Sequence, residues 1–274
     1  MPETRQRPAT TGHRPIEAGG GIEAHWHDRH QIVYAGRGVL SVTTDAGSWV
    51  APATRAIWIP AGTLHQHRAY GETTLHTVGL RENPLGLQTP SALVVSPLLR
   101  ELILAYTSVG YDEAVPTAAG TAGRRETADL ADRAHRVDRA QRADPAERGR
   151  LLEVLLDQLR RSHQRPTYLP TARDPRLVAV CELLRAAPSD GRTLVELGRV
   201  VGASERTLSR LCKGDLGMSF PQWRTQLRLH EALRLLAEGE SVTRVAHRTG
   251  WASASAFIDT FRQAFGHTPG SRRA

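Results

Sequence analysis

Apolar positions change their rhythm twice along this chain. Across residues 22–80, short apolar stretches (31–34, 39–43, 56–59 and 75–78) alternate with Gly, Pro and Asp turn signals. Strands that short and that regularly spaced predict a small barrel or sandwich. Asp45-Ala46-Gly47 reads as a hairpin turn between Leu40-Ser41-Val42-Thr43 and Ser48-Trp49-Val50. Residues 96–109 then read as a helix, with Ser96 as cap and Pro97 suited to its first position. In residues 149–162, Leu151, Leu152, Leu155, Leu156 and Leu159 form a stripe of helical period.

After a Pro-rich stretch the chain reads as helical to its end. Residues 175–187 place Leu177, Val180, Cys181 and Leu184 on one face. Thr193 and Glu196 have capping-box spacing and start a helix that runs to about residue 201. Gly202-Ala203-Ser204 turns the chain, and Ser204 caps a helix to about Lys213. Two short helices joined by a three-residue Gly-containing turn predict a helix-turn-helix. The pattern repeats. Ser219 and Gln222 open a longer helix with Pro221 in its first turn, ending at Gly239. Ser241 opens a short helix, Gly250-Trp251-Ala252-Ser253 turns, and Ser253 caps a last helix bearing Phe257, Phe261 and Phe265. Gly202 and Gly250 hold equivalent turns, so one reading unit is duplicated across a bridging helix.

These segments predict an α+β multidomain chain. Residues 1–21, polar and rich in Pro, Thr and Gly, are expected to be a disordered arm. Residues 22–95 form the barrel. Residues 96–163 form a helical, dimerising segment with a low-complexity insert near 112–148. Residues 164–174 are a linker. Residues 175–274 form the all-α domain, with helix-turn-helix units at 193–213 and 241–265. The insert is dense in Ala, Arg and Asp and poor in large apolar residues, and is expected to be poorly ordered.

Charge sharpens the picture. The 274 residues carry a net +8 and a pI near 10.4, which suits a polyanion such as nucleic acid. Nearly all of the cations are Arg, with Lys213 the single Lys, a bias that a GC-rich genome also produces. From Thr171 onward there are 16 Arg and Lys against 10 Asp and Glu, so most of the surplus lies in the helical domain. Cys181 and Cys212 are the two cysteines and make no disulfide framework, which fits a reducing cytoplasm. No apolar run predicts a membrane span, and the N-terminus lacks a signal peptide's apolar stretch.

A recognition helix fits a major groove about 12 Å wide. Two such helices on one face reach successive grooves about 34 Å apart, nearer if the DNA bends. Residues 194–272 resemble the AraC/XylS family of transcription regulators. The resemblance rests on Gly250-Trp251-Ala252-Ser253-Ala254-Ser255-Ala256-Phe257, on Phe261-Arg262-Gln263-Ala264-Phe265-Gly266, and on Thr268-Pro269-Gly270. Gly217-Met218-Ser219-Phe220 and Ala232-Leu233-Arg234-Leu235-Leu236 match the family's bridging region. The resemblance implies double-stranded DNA as partner. It places Ser204, Arg206, Ser209, Arg210 and Lys213 at the first DNA-facing helix, and Ser253, Ala254, Ser255, Ile258, Asp259 and Arg262 at the second. Asp259 is a departure: an acid facing DNA either accepts from cytosine N4 or orients Arg262. Trp251, Phe257 and Phe261 read as core. Homodimerisation and contact with RNA polymerase are further expectations.

The N-terminal half holds a second constellation. His25-Trp26-His27 puts two imidazoles on one strand face, Gln31 follows, and Pro60-Ala61-Gly62-Thr63-Leu64-His65 turns sharply before His65. This resembles the metal site of the cupin fold over residues 23–80. The resemblance makes His25, His27, Gln31 and His65 ligand positions, with Gln31 where a metal-binding cupin usually has Glu. Three imidazoles suit Zn, Ni, Co, Cu or Fe(II); the alternative is a metal-free pocket for an organic effector. His30 and His67 read as surface or outer-shell groups. The function expected is a cytoplasmic regulator modulated by a metal ion or small molecule, with no membrane partner. The competing reading is a cupin metalloenzyme of dioxygenase or isomerase type; no phosphate loop or nucleophile elbow points to another enzyme class. The arm and the Leu151–Leu159 stripe are the candidate coupling elements.

Overall fold

The structure, a computed structural model, describes residues 5–108, 144–162 and 168–271. Eight strands build the N-terminal half: β1 (Arg5–Gln6), β2 (Gly12–Ile16), β3 (Gly21–Trp26), β4 (His30–Thr44), β5 (Gly47–Pro52), β6 (Arg55–Ile59), β7 (His65–Leu80) and β8 (Ser91–Val94). The long strands β4 and β7 pair antiparallel, with register shifts between Ala35 and Val39. Beyond the shifts, β4 pairs with β5 on its free edge and β7 with β3. Before them, β4 pairs with β6 and β7 with β2. Bulges bend strands and increase twist, so β4 and β7 serve two half-sheets that face each other as a barrel.

Alternation sorts the side chains. Val33, Leu40, Val42, Ile57, Ile59 and Leu75 fill the interior. Ile32, Tyr34, Trp58, Val78 and Leu93 point outward, beneath helices α1 (Pro97–Ser108) and α2 (Pro145–Arg160). Leu155 and Leu159 are buried there. The leucine stripe thus packs on its own barrel, leaving Leu98 and Val154 as the large apolar side chains that these helices expose.

Three sequence-based boundaries need correction. The arm expected to be disordered is threaded into the sheet: β1 pairs parallel with β3, and β2 pairs with residues 73–77 of β7. Isolated two- and five-residue strands have no local signature; long-range pairing with β3 and β7 holds them. Within the presumed insert, residues 112–143 lie outside the described residues, but 145–148 open α2, where Asp144 caps through Ala146 N. Within the presumed linker, β9 (Tyr168–Pro170) pairs with β5, placing Leu169 opposite Ser48.

The C-terminal half contains α3 (Pro175–Ala186), α4 (Leu194–Val201), α5 (Glu205–Asp215), α6 (Phe220–Ala237), α7 (Val242–Arg248) and α8 (Ala254–Phe265). The first core joins Leu177, Leu184, Leu197, Leu208 and Cys212 to Trp223, near the start of α6. The second joins Leu233, Val245, Phe257, Phe261 and Phe265, and includes Val39 and Val50 from the barrel. Thus α6 bridges both units and also lies on the sensor. At that junction Gly71 has φ +67°, and a Cβ there would stand 2.5 Å from the Ala237 carbonyl oxygen.

Candidate DNA interface and sensor site

Each corner is built by its local sequence. In the first, Gly202 ends α4 in the left-handed region at φ 65°, which suits a residue without Cβ. Ser204 accepts from Thr207 N at 3.1 Å and starts α5. Leu208 and Cys212 turn inward, while Arg206, Arg210 and Lys213 are exposed and Ser209 is half-buried. Among the described residues, neither Arg206 nor Arg210 has a hydrogen-bond or ion-pair partner. Both guanidiniums stand on the outer face, one turn apart.

In the second corner, Thr249 is buried and donates to the Val245 carbonyl at 2.6 Å. Gly250 takes φ +76°, and Ser253 accepts from Ala256 N at 3.1 Å. Phe257, Phe261 and Phe265 point into the core. Ser255, Asp259 and Arg262 are exposed, and Ala254 and Ile258 are half-buried. Asp259 accepts from Arg262 at 3.1 Å.

One group was not legible in the sequence. Arg228, on α6, donates to the carbonyls of Pro188 at 3.1 Å and Asp190 at 3.4 Å. Arg224 donates to the Arg192 carbonyl. Burial lowers the pKa of both guanidiniums. They clamp the loop leading into the Thr193 cap. That loop also meets the second corner, since a Cβ on Gly250 would lie 2.7 Å from Ser189 Cα. The two units are therefore braced against each other.

In the barrel, cross-strand pairing sets His25 opposite His65. Their ring centroids are 4.4 Å apart, and His27 lies 4.8 Å from His25 and 5.2 Å from His65. One ligand atom from each falls within 4.8 Å of the others, and all three residues are buried. Every Nδ1 meets a carbonyl oxygen: His25 that of Glu23 at 2.7 Å, His27 that of Arg7 at 2.6 Å, and His65 that of Thr63 at 2.8 Å. A carbonyl only accepts, so each Nδ1 carries the hydrogen and each Nε2 keeps its lone pair in the neutral ring. Burial pushes His25 and His65 down to about 4, only partly offset by those carbonyls. His27 shifts the same way, again chiefly through burial. Among the described residues, the Nε2 atoms of His27 and His65 and the Oε1 of Gln31 are buried without hydrogen-bond partners. The donor set fits a borderline divalent ion. Arg7, in the supposed arm, fixes the His27 tautomer.

Two further histidines lie near the trio. His30 stacks on Trp58 at 5.1 Å and accepts from Ala61 N at 3.1 Å. His67 is not a surface group: it is 3 % exposed. Its ring lies 5.0 Å from His65 and 5.6 Å from His25. The two residues share one face of β7 because they stand two apart.

The corners, their bridging helix and the attached barrel define a DNA-binding protein with a sensor. Residues 197–274 match a helix-turn-helix domain family, and residues 7–85 match the AraC-like ligand binding domain family. The HTH-type transcriptional regulator NimR of Escherichia coli is 32% identical over 247 residues, which span 90% of this chain and 80% of that protein. The regulator RipA of Corynebacterium glutamicum is 38% identical over 101 residues, 37% of this chain and 30% of its own. A solved AraC-type DNA-binding regulator from Chromobacterium violaceum is 30% identical, covering 35% of this chain and 86% of its own, with a TM-score of 0.33. The chain belongs to the AraC family of transcriptional regulators, with an N-terminal cupin-type ligand-binding domain and a C-terminal helix-turn-helix domain. These relatives are regulators, not enzymes. Among the described residues no helix is long and apolar enough to cross a membrane.

Proposed function

We propose that this regulator reads two adjacent DNA segments with α5 and α8, and that a divalent transition metal held by His25, His27 and His65 sets its affinity for them. Arg206 and Arg210 read base edges, each able to fork onto guanine O6 and N7. Ser204, Ser209, Lys213, Ser253, Ala254 and Ser255 dock the helices on backbone and groove wall. Arg262, held by Asp259, contributes less to base reading. The observation carrying the metal reading is the trio of imidazoles with every Nδ1 committed to a carbonyl. Gln31 offers its buried Oε1 as a further ligand and brings no charge. An ion changes DNA affinity only by favouring one arrangement of barrel and reader over another.

The test combines metal analysis of the purified chain with gel shifts on operator DNA selected from genomic fragments. One Zn, Ni, Co, Cu or Fe per chain, lost in His25→Ala/His65→Ala together with the metal dependence of the shift, is the expected result. A chain that rejects added Zn, Ni and Co, yet shifts DNA in response to an organic effector, replaces this reading with the organic pocket.

A further inference from the structure

We infer that His67 is a fourth nitrogen donor to the barrel's ion, making the site an uncharged four-imidazole set instead of the carboxylate-containing one that Gln31 has forfeited. The inference rests on the metal reading above. Both ring nitrogens of His67 are buried without a hydrogen-bond partner among the described residues. An orphaned buried polar group is costly and calls for a partner. The nearest polar rings are His65 and His25, while the Val42 backbone on one side and Ile22 on the other hold the strand in place.

His67 differs from its three neighbours in one respect. Their Nδ1 atoms are tied to carbonyls, so their rings are preset; neither nitrogen of His67 has a hydrogen-bond partner among the described residues, and because His67 stands outside the trio whose ligand atoms lie within 4.8 Å of one another, ligation requires its ring to turn toward them. The preset trio would capture the ion, and His67 would close on it. Four neutral nitrogens leave the ion's charge uncompensated, which disfavours hard ions such as Mg and Ca and suits Zn, Cu, Ni or Co.

X-ray absorption on the zinc-loaded full chain tests this directly. Four imidazoles in the wild type and three in His67→Leu are expected. Leucine keeps the site apolar, so the variant should melt no lower than the wild type without metal. Competition with a chelator should show zinc affinity falling by more than about 100-fold, beyond the 10–100-fold typical of an outer-shell partner. Cobalt loaded in place of zinc should show shifted visible bands, as an oxygen donor replaces the fourth imidazole. Three imidazoles in the wild type, or equal affinity and an unchanged cobalt spectrum in His67→Leu, overturns the assignment while leaving the trio's metal site standing. A wild type that takes up neither ion sinks both.

Discussion

Arg55 on β6 donates from its Nη2 to the carbonyl of Ala264 at 3.1 Å, near the C-terminal end of α8. Arg55 is 2 % exposed, and its guanidinium also donates to the Thr54 carbonyl at 2.9 Å. A cation at the negative end of a helix is favourable. Strand β6 ends at Ile59, opposite Gln31 of the sensor site. A single five-residue strand thus connects the imidazole cluster with the second recognition helix. Arg55→Met should cost about 1–3 kcal/mol through the stranded carbonyl, read from urea midpoints. It should also make operator affinity independent of metal. Retained metal dependence in a destabilised Arg55→Met would show that coupling runs elsewhere.

Arg206→Ala and Arg210→Ala should each weaken specific DNA binding by about 1–3 kcal/mol and relax preference at one base position, with thermal stability unchanged. Competition gel shifts against single-base operator variants measure both effects. A uniform loss across all sequences would mark the affected arginine as a phosphate contact.

Asp259→Ala should strengthen binding. The pair with Arg262 is well exposed, at 61% and 63% side-chain accessibility, so it adds little to stability. Removing the acid deletes a repulsion with phosphate and steepens the salt dependence. Weaker binding at every salt concentration would mean that Asp259 accepts from a base.

Gly250→Ala forces a Cβ into a φ of +76° and against Ser189. A strain of about 1–3 kcal/mol is expected, together with a wider spread in the angle between the two reading units. Binding to operators lengthened by one base pair between the two contacted segments reports that angle. The wild type should reject the insertion and Gly250→Ala should tolerate it; equal rejection would clear the brace of this role.

Acid should unfold the sensor. His76, whose Nδ1 donates to Thr107 Oγ1 at 2.7 Å, is pushed down to about 4 by burial first, then by His13 and Arg100. In the unfolded chain the ring titrates near 6.5. Between these values the unfolded chain binds a proton that the folded one refuses, so stability is full above about 6.5 and falls as pH drops toward 4. His25 and His65 shift in the same sense. Metal-free protein should therefore show falling urea midpoints from pH 7 to 5, with a shallower fall in His76→Phe. A flat profile would contradict the burial of these rings.

The reader was legible because its signals are local. The Thr193–Glu196 and Ser219–Gln222 capping boxes, the serine caps and the glycine turns are all present in the fold. Each is a contact within a few residues, which spacing alone reveals. Imidazoles 25, 27 and 65 were legible through alternation and a proline-glycine turn. What escaped depended on distant partners. β1, β2 and β9 borrow their hydrogen bonds from β3, β7 and β5, and nothing in their own composition announces it. For His67 the choice between surface and outer shell stayed open, because spacing says which face a side chain takes, not how deep that face lies.

Leu169 belongs to two structures at once. Its backbone extends the barrel's sheet against Ser48, while its side chain, 3 % exposed, sits in the first core beside Leu177 and Trp223. Gene truncation therefore has no clean cutting point here. A reader fragment beginning at Pro175 discards Leu169 and Ala172 and leaves a hole beneath α3; one beginning at Tyr168 carries a sheet edge with no sheet. Sensor and reader share this seam, and swapping either for a relative's must bring along Tyr168–Pro170, the residues that stitch them.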